Sequence, residues 1–329
     1  MDTTSIRGLA PSVVLLLAAV GCSSRSPSAP STPAVVAGRA VSVVDGAGAA
    51  GVSVQIGSRA STRTDDEGRF RVELAEAGTY PAVLAGGSFV ERRTSIAAPA
   101  EAARLSLIPT SFDLRAFDEM CRTSNQRLQR WTTRPALVVL KSVMAFGGPD
   151  AIDFRATGER LSEAEAEALA ADLAAGLALL TAGTYRSFAT VTYEEPRPNA
   201  MVSTIRDGFI VAGRYDGVMT WIRTVGYGRW AERPDGAVVA GAIYLDRDFD
   251  AASDRRWLLR AHELGHALGY THVTSRRSLM NPAIGPEPTE FDRQAAALAF
   301  DRPPGNRSPD VDPGASGLAA ATALSAGAG

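Results

Sequence analysis

All three histidines of this 329-residue chain lie within the segment RAHELGHALGYTH, residues 260–272. His262 and His266 are four residues apart, so on a helix both imidazole rings leave the same face, one turn apart. That spacing lets two ring nitrogens reach one cation at about 2 Å. Glu263 follows the first ligand, where its carboxylate can contact a metal-bound water without binding the metal itself. The segment is therefore predicted to be a helix that binds a metal ion.

The pattern continues beyond this helix. Gly269 comes three residues after His266, where helices commonly end in a left-handed turn that glycine tolerates best. The chain can then turn back so that His272 supplies a third ligand. Three protein ligands leave a fourth position open for water, which is typical of a catalytic rather than a structural zinc. The cofactor predicted from these residues is one catalytic Zn2+.

The fixed positions of this segment, extended to the next methionine, resemble the long motif of the metzincin clan of zinc endopeptidases: His262, Glu263, His266, Gly269, His272 and Met280. The resemblance implies hydrolysis of peptide bonds in a protein or peptide substrate, with Glu263 as the general base and then the general acid. It also implies that Met280 forms the Met-turn, an apolar floor beneath the zinc ligands.

The resemblance further implies an α+β metzincin-like catalytic domain, in which a twisted mixed sheet carries the active-site helix, over residues 109–302. The strand before this helix would be the edge strand that binds an extended substrate, and its end carries Tyr244, Leu245 and Asp246. Val273, directly after the third histidine, matches none of the matrixins, astacins, adamalysins or serralysins. The spacing to the methionine and the helix after it look most like matrixins, and the subgroup stays open.

Two alternatives remain. In a gluzincin-type peptidase the third ligand would be a downstream glutamate, and Glu287 and Glu290 lie at workable distances along the chain. Residues 289–292 resemble a helix cap instead, which favours His272 as the ligand. The other alternative is a catalytically inactive surface adhesion or scaffold protein that binds through a β-sandwich. The presence of Glu263 argues against it, because a purely structural zinc site has no use for a base.

The rest of the predicted catalytic region alternates between helix and strand. Residues 161–183 form the clearest predicted helix, with Ser162 and Glu165 as a capping box. Strands are predicted within RPALVVLKSVMAF, SFATVTYEE, DGFIVAGRY and GAVVAGAIYLDRDF.

Residues 35–108 contain short alternating segments divided by turns rich in glycine and aspartate, which predicts a small all-β sandwich. The stretch TDDEGRFRVEL resembles the carboxypeptidase regulatory-like domain family, which implies an accessory module without chemistry. Its charged turn, Asp65, Asp66 and Glu67, is interpreted as a solvated hairpin tip rather than a calcium site.

The two ends of the chain are predicted to lie outside these domains. Residues 1–21 combine Arg7 with an apolar run, as a secretory signal peptide does. The run ends in AVGC, which resembles the lipobox of bacterial lipoproteins and implies acylation of Cys22 and anchoring at the outer membrane or cell surface. Plain secretion is the alternative. Residues 22–34 are predicted to be a Ser/Pro-rich tether, and residues 303–329 a disordered tail.

Composition excludes one class of partner and one kind of framework. The chain has 34 Lys and Arg against 36 Asp and Glu, whereas nucleic-acid binding requires a basic surface. If Cys22 is acylated, Cys121 has no partner for a disulfide, so the fold is not predicted to depend on disulfides. Cys121 is interpreted as a buried helix residue rather than a thiol that caps the zinc.

Overall fold

The computed structural model describes residues 33–122 and 126–315. The predicted signal peptide, Cys22 and most of the predicted tether lie outside these residues, as does the chain beyond residue 315. None of the helices within the described ranges has the length and apolar character needed to cross a membrane.

The first part of the chain is a sandwich of two sheets. Its strands are β1 (Ala34–Ser42), β2 (Ser53–Ile56), β3 (Ala60–Arg63), β4 (Arg69–Leu74), β5 (Gly78–Gly86), β6 (Phe89–Ala98) and β7 (Ala100–Leu107). One sheet has the order β4-β1-β7 and the other β3-β2-β5-β6. Alternation sets the inner face, since every second residue of β4 is buried. Phe70 of β4 and Leu84 of β5 share one apolar core, so the two sheets pack face to face.

The second part contains the largest sheet, with nine strands. They are β8 (Arg130–Trp131), β9 (Ala136–Leu140), β10 (Ser142–Ala145), β11 (Asp153–Arg160), β12 (Val191–Glu194), β13 (Met201–Ser203), β14 (Phe209–Asp216), β15 (Gly226–Glu232) and β16 (Ala237–Asp246). Strand β14 is central and parallel to β9, β10 and β16. Within the described residues, strand β15 pairs antiparallel with β16 alone and lies at the edge of the sheet.

The helices are α1 (Leu114–Cys121), α2 (Glu163–Leu180), α3 (Val218–Ile222), α4 (Arg247–Ala252), α5 (Arg256–Ala267) and α6 (Glu290–Asp301). The predicted capping box of α2 is confirmed, because the Ser162 and Glu165 side chains each accept from the other's backbone N–H. Helices α2 and α5 pack tightly: a Cβ on Gly176 would lie 3.1 Å from the Leu264 side chain. Helix α5 is thereby fixed between the sheet and α2.

The α+β fold class expected from the sequence resemblance is wrong. Sixteen strands and six helices lie within the described ranges, with 39% of residues in strand and 22% in helix, and the strands form three sheets. The chain is therefore predominantly β. The strand content is higher than the sequence pattern predicts, because β8 and β13 are very short and β15 contains two glycines, so none of them has a clear two-residue alternation.

Residues 303–315, here called the C-terminal segment, are ordered, so the prediction of a disordered tail is wrong for this stretch. The fully buried Arg302 donates two hydrogen bonds of 2.7 Å to the fully buried Asp310. The backbone N–H of Arg93 in β6 donates to the Asp310 carbonyl at 2.9 Å. Composition predicted disorder, because this segment has few apolar residues; buried ion pairs and backbone hydrogen bonds fix it instead.

The C-terminal segment also connects the sandwich to the rest of the chain. The nearly buried side chains of Arg92 and Asp312 form an ion pair at 3.2 Å. Arg302 also donates to the Ser106 hydroxyl, in β7, at 2.7 Å. These charges are removed from water, so each needs its partner to stay in place.

Candidate metal centre

The three histidines converge on one point. Their Nε2 atoms form a nearly equilateral triangle, with distances of 3.2 Å from His262 to His266, 3.1 Å from His266 to His272 and 3.3 Å from His262 to His272. Among the residues that the structure describes, these are the group of His, Cys, Asp and Glu side chains arranged closely enough to hold a metal ion.

Helix α5 and the turn after it place these rings. Leu258, Ala261 and Leu264 face the core, which directs His262 and His266 along one side of the helix. The helix ends at Ala267, and Gly269 follows with a φ of +102°, a conformation that glycine adopts most easily.

The space around Gly269 also requires glycine. A Cβ there would lie 3.0 Å from the Val238 side chain and 3.3 Å from the Gln129 carbonyl oxygen. The Tyr270 N–H donates to the Gly265 carbonyl at 2.9 Å, which closes the helix end and directs the chain back towards His272. Gly269 thus ends the helix where the sequence predicted it would.

Hydrogen bonds fix which ring nitrogens face the centre. His262 Nδ1 donates to the Leu279 carbonyl at 2.9 Å, and His266 Nδ1 donates to the Tyr270 carbonyl at 2.7 Å. A carbonyl can only accept, so in the neutral rings the hydrogen lies on Nδ1 and the Nε2 lone pair is free. Unshared lone pairs about 3 Å apart repel one another, and a cation between them removes the repulsion.

Burial keeps these rings neutral. It lowers the pKa of His262 to about 4, and burial together with the neighbouring His262 lowers the pKa of His266 to about 3. Burial also lowers the pKa of the more exposed His272. Neutral imidazole is the form that binds metal, so the donors are already in their ligand state near pH 7.

The donor set fits zinc. Bonds of about 2.0–2.1 Å in a tetrahedral arrangement place neighbouring ligand nitrogens about 3.3 Å apart, close to the distances found between the three Nε2 atoms. Three imidazoles leave one of four positions for a water or a substrate atom.

Glu263 lies beside the centre with its carboxylate buried. Burial raises the pKa of this carboxylate to about 8, although a hydrogen bond from the Gly228 N–H acts in the opposite direction and lowers the pKa. A cation held by the adjacent histidines would favour the ionised carboxylate and lower this pKa. A Cβ on Gly226 would lie 2.5 Å from the Glu263 Oε1, so the carboxylate lies against β15, at the wall of the cleft described below.

Met280 lies beneath the helix that carries two of the ligands. It is fully buried, and a Cβ on Gly265 would lie 2.4 Å from its sulfur. Its carbonyl accepts a 2.8 Å hydrogen bond from the Val273 N–H, which joins this turn to the residue after His272. The sulfur therefore packs against the backbone of α5, as an apolar floor requires.

Asp292 supports the first ligand through an intermediate residue. Its buried carboxylate accepts from the Ser278 hydroxyl at 2.5 Å and from the Leu279 N–H at 3.1 Å, while the Leu279 carbonyl accepts from His262. Sequence analysis identified Asp292 only as part of the cap of α6, which the capping box with Thr289 confirms. Its second role depends on a turn that no local pattern indicates.

A cleft of about 570 Å3 opens over the histidines, between β15 on one side and α5, Pro282 and Ile284 on the other. The expectation that the strand before the helix forms the edge is wrong. That strand is β16, which pairs with both β14 and β15, and Tyr244 and Leu245 on it are fully buried. The edge strand beside the site is β15, and its outer side has no partner strand among the described residues.

Glycines allow β15 to lie directly against α5. A Cβ on Gly228 would lie 2.4 Å from the Glu263 carbonyl oxygen and 2.6 Å from the His266 Cβ. Any larger residue at this position would push the strand away from the helix. The same glycines weaken the strand pattern in the sequence, which is why β15 was not predicted.

The other candidates lie apart from this centre. Glu290 is exposed and forms an ion pair with Arg293 at 3.5 Å, and Glu287 is also exposed. Cys121 is fully buried as the last residue of α1, which confirms the interpretation as a helix residue; burial raises the pKa of its thiol. In the sandwich, Asp65 accepts from the Glu67 and Arg69 N–H groups, as a hairpin tip does.

Comparisons with known proteins leave the family open. No protein-family model matches the chain, and no curated protein matches it. Among the solved structures that match part of it are the C-terminal and N-terminal interface mutants of a type II cohesin–X-dockerin complex from Acetivibrio cellulolyticus. The identities are 25% and 26%, each match covers 22% of this chain and 51% of the solved chain, and both TM-scores are 0.18. The chain spans about half the length of these solved chains, and a likeness this weak carries no argument about its fold or function.

Proposed function

We propose that this chain is a zinc-dependent endopeptidase with a metzincin-type motif. The observation that carries the proposal is the convergence of three neutral imidazole Nε2 atoms beside the buried carboxylate of Glu263, in an open cleft. A structural zinc site is closed by four protein ligands and needs no base. Three donors with a carboxylate at the cleft wall favour hydrolysis.

The chain's own residues divide the work of peptide hydrolysis. His262, His266 and His272 would hold the zinc, which would supply Lewis acidity for activating a water and a scissile carbonyl. Glu263 takes a proton from the attacking water and returns it to the leaving amine nitrogen. The carbonyls of Leu279 and Tyr270 hold two of the rings in the tautomer that binds metal.

The substrate of this proposed peptidase is an extended segment of a protein or peptide. No strand of the described ranges covers the outer side of β15 along the cleft, so its N–H and C=O groups can pair with an added strand. Backbone pairing would hold the substrate, and the space beside Leu259, Pro282 and Ile284 would accept a side chain. The apolar character of these three residues favours an apolar side chain there.

The proposed location follows from the N-terminal sequence. AVGC at residues 19–22 supports export and acylation of Cys22 at the outer membrane or cell surface. Labelling of expressing bacteria with a fatty-acid analogue tests this. Wild type should incorporate the label and Cys22→Ala should not; equal labelling of the two would contradict the lipid anchor.

The test of the proposed function joins metal content to hydrolysis. Elemental analysis of the purified full chain should find about one zinc, and His272→Ala should lose most of it, whereas the matched Glu290→Ala should keep it. Glu263→Ala should retain zinc and fold yet lose hydrolysis of a broad peptide library. The reason is that Glu263 transfers protons without being a ligand.

Three outcomes would contradict this reading. Normal turnover by Glu263→Ala would refute the proposed base. If zinc is retained in His272→Ala but lost in Glu290→Ala, the third ligand is Glu290 and not His272. A folded wild type with bound zinc but no hydrolysis of any library peptide would favour a non-catalytic binding protein.

A further inference from the structure

The chain segment that carries His272 is attached to α1. The Thr271 N–H donates to the Met120 carbonyl at 2.8 Å, and the Thr271 hydroxyl donates to the Glu119 carbonyl at 2.5 Å. Beyond the histidine, the N–H groups of Thr274 and Ser275 donate to the same carboxylate oxygen, Oε2 of Glu119, at 2.9 and 3.1 Å. The segment is thus held on both sides of His272.

The position of His272 depends on this attachment more than the positions of the other two ligands do. His262 and His266 belong to α5, whose backbone hydrogen bonds and packing fix them. His272 lies in a stretch without regular secondary structure and is exposed. The position of its ring relative to the other two therefore depends on contacts that hold residues 271–275.

Helix α1 is a rigid element from which to hold this segment. Asp113 caps its N-terminus through the Ala116 N–H, and Phe117 and Met120 are fully buried in the main core. Glu119 projects from the last turn with its side chain 24% exposed. Its carboxylate is therefore held close to one place while it accepts from the two N–H groups.

We propose that Glu119 is a positioning residue for the third metal ligand. Its Oε2 accepts from Thr274 and Ser275 and so fixes the turn that keeps His272 Nε2 about 3 Å from the other two donors. The inference rests on the proposed zinc site, and it adds a residue 153 positions before His272 that the motif does not contain. Outer hydrogen-bond partners of this kind typically change metal affinity by about 10- to 100-fold.

The geometry separates the role of the acceptor from that of its charge. Both N–H groups use one oxygen, so the amide oxygen of a glutamine, which has the same length, can replace it. An aspartate keeps the negative charge but is one methylene shorter, so it cannot reach both donors from the same helix. Glu119→Gln should therefore keep tight zinc binding, and Glu119→Asp should lose it.

The experiment measures the zinc dissociation constant of the metal-free full chain by competition with a chromophoric chelator, for wild type, Glu119→Gln and Glu119→Asp. Asp118→Ala is the matched control. Asp118 is the neighbouring acid on the same helix, but its carboxylate accepts from Arg122 and Ser308 and not from the histidine segment. Glu119→Asp should bind zinc at least about tenfold more weakly than wild type, and the other two should stay within about threefold.

The outcomes distinguish this inference from the proposed function. Wild-type affinity in Glu119→Asp would overturn the positioning role and leave the three-histidine site intact. Equal losses in Glu119→Gln and Glu119→Asp would also overturn it, because the glutamine keeps an acceptor oxygen at the same reach and should have preserved the zinc affinity. A loss in Asp118→Ala as large as in Glu119→Asp would reduce the effect to general damage to α1. A folded wild type that binds no zinc would refute the proposed function itself.

Discussion

Replacing Gly228 by alanine tests whether close contact between β15 and α5 builds the site. The new Cβ would lie 2.4 Å from the Glu263 carbonyl oxygen and 2.6 Å from the His266 Cβ, whereas ordinary contacts are 3.4–4 Å. Strand and helix must therefore separate by about 1 Å. Neither moves easily, because β15 is paired with β16 and α5 is packed against α2 through Gly176.

The sign of the effect distinguishes this collision from an ordinary substitution. Where the backbone tolerates it, Gly→Ala stabilises a protein by about 0.4–1 kcal/mol through the unfolded chain. Overpacking a filled site costs about 1–3 kcal/mol. We expect the second effect to exceed the first, so that Gly228→Ala lowers the free energy of unfolding by their difference, up to about 2.5 kcal/mol. It should also weaken zinc binding, because His266 and Glu263 lie at the point of contact.

Urea denaturation followed by circular dichroism measures the stability, and chelator competition measures the zinc affinity. Gly147→Ala is the control, because its new Cβ would meet nothing nearer than the Ala151 Cβ at 3.9 Å. It should leave the chain as stable as wild type or raise the unfolding free energy by up to about 1 kcal/mol, because the backbone tolerates alanine there. If Gly228→Ala is as stable as wild type and binds zinc equally well, β15 does not depend on this contact and the reasoning is refuted.

Two further predictions concern charge. Asp310→Ala should destabilise the chain by about 3–5 kcal/mol in urea denaturation, because it removes the fully buried carboxylate that pairs with Arg302 and leaves that buried guanidinium with the partly exposed Asp301. Ser162 and Arg214 lower the pKa of Glu165 to about 2 from 4.5, so its stabilising contribution is complete above about pH 4.5 and is lost as the pH falls towards about 2. Glu165→Gln should therefore flatten the dependence of unfolding free energy on pH within that window.

Each of these two has a matched control. Arg104→Ala removes a largely exposed ion pair with Asp301 and should cost less than about 1 kcal/mol. Glu167→Gln lies on the exposed side of the same helix as Glu165 and should leave the pH dependence unchanged. Equal effects of Asp310→Ala and Arg104→Ala, or of the two glutamine variants, would contradict the assigned contacts.

The parts of the site that were predictable from sequence are those set by local geometry. The spacing of His262 and His266, the glycine at 269 and the two capping boxes each depend on residues within one or two helical turns. Helical periodicity makes such relations visible in a single sequence. The short turn after Gly269 also shows that His272 can return towards the other two rings, although the contacts with α1 that hold it there are distant in sequence.

The parts that were missed depend on residues far apart in sequence. Gly226 and Gly228 are glycines because α5 lies against them, and without that helix they argue against a strand. Similarly, local composition assigns Asp310 to a polar tail, and its burial depends on Arg302 and the sandwich around it. The high strand content has the same origin, since pairing partners rather than local propensity define the short strands.

The C-terminal segment limits how freely this protein's parts can be recombined. Arg92 of the sandwich is neutralised by Asp312, which lies 220 positions later, and the edge of β6 takes a backbone hydrogen bond from the same stretch. A sandwich transferred alone to another protein would therefore lose Asp312, and Arg92 would be buried without its counter-charge. Chimeras that exchange the N-terminal sandwich should fold only when the C-terminal segment is exchanged with it. The sandwich and the C-terminal segment should also covary in evolution, as if they were one inherited unit.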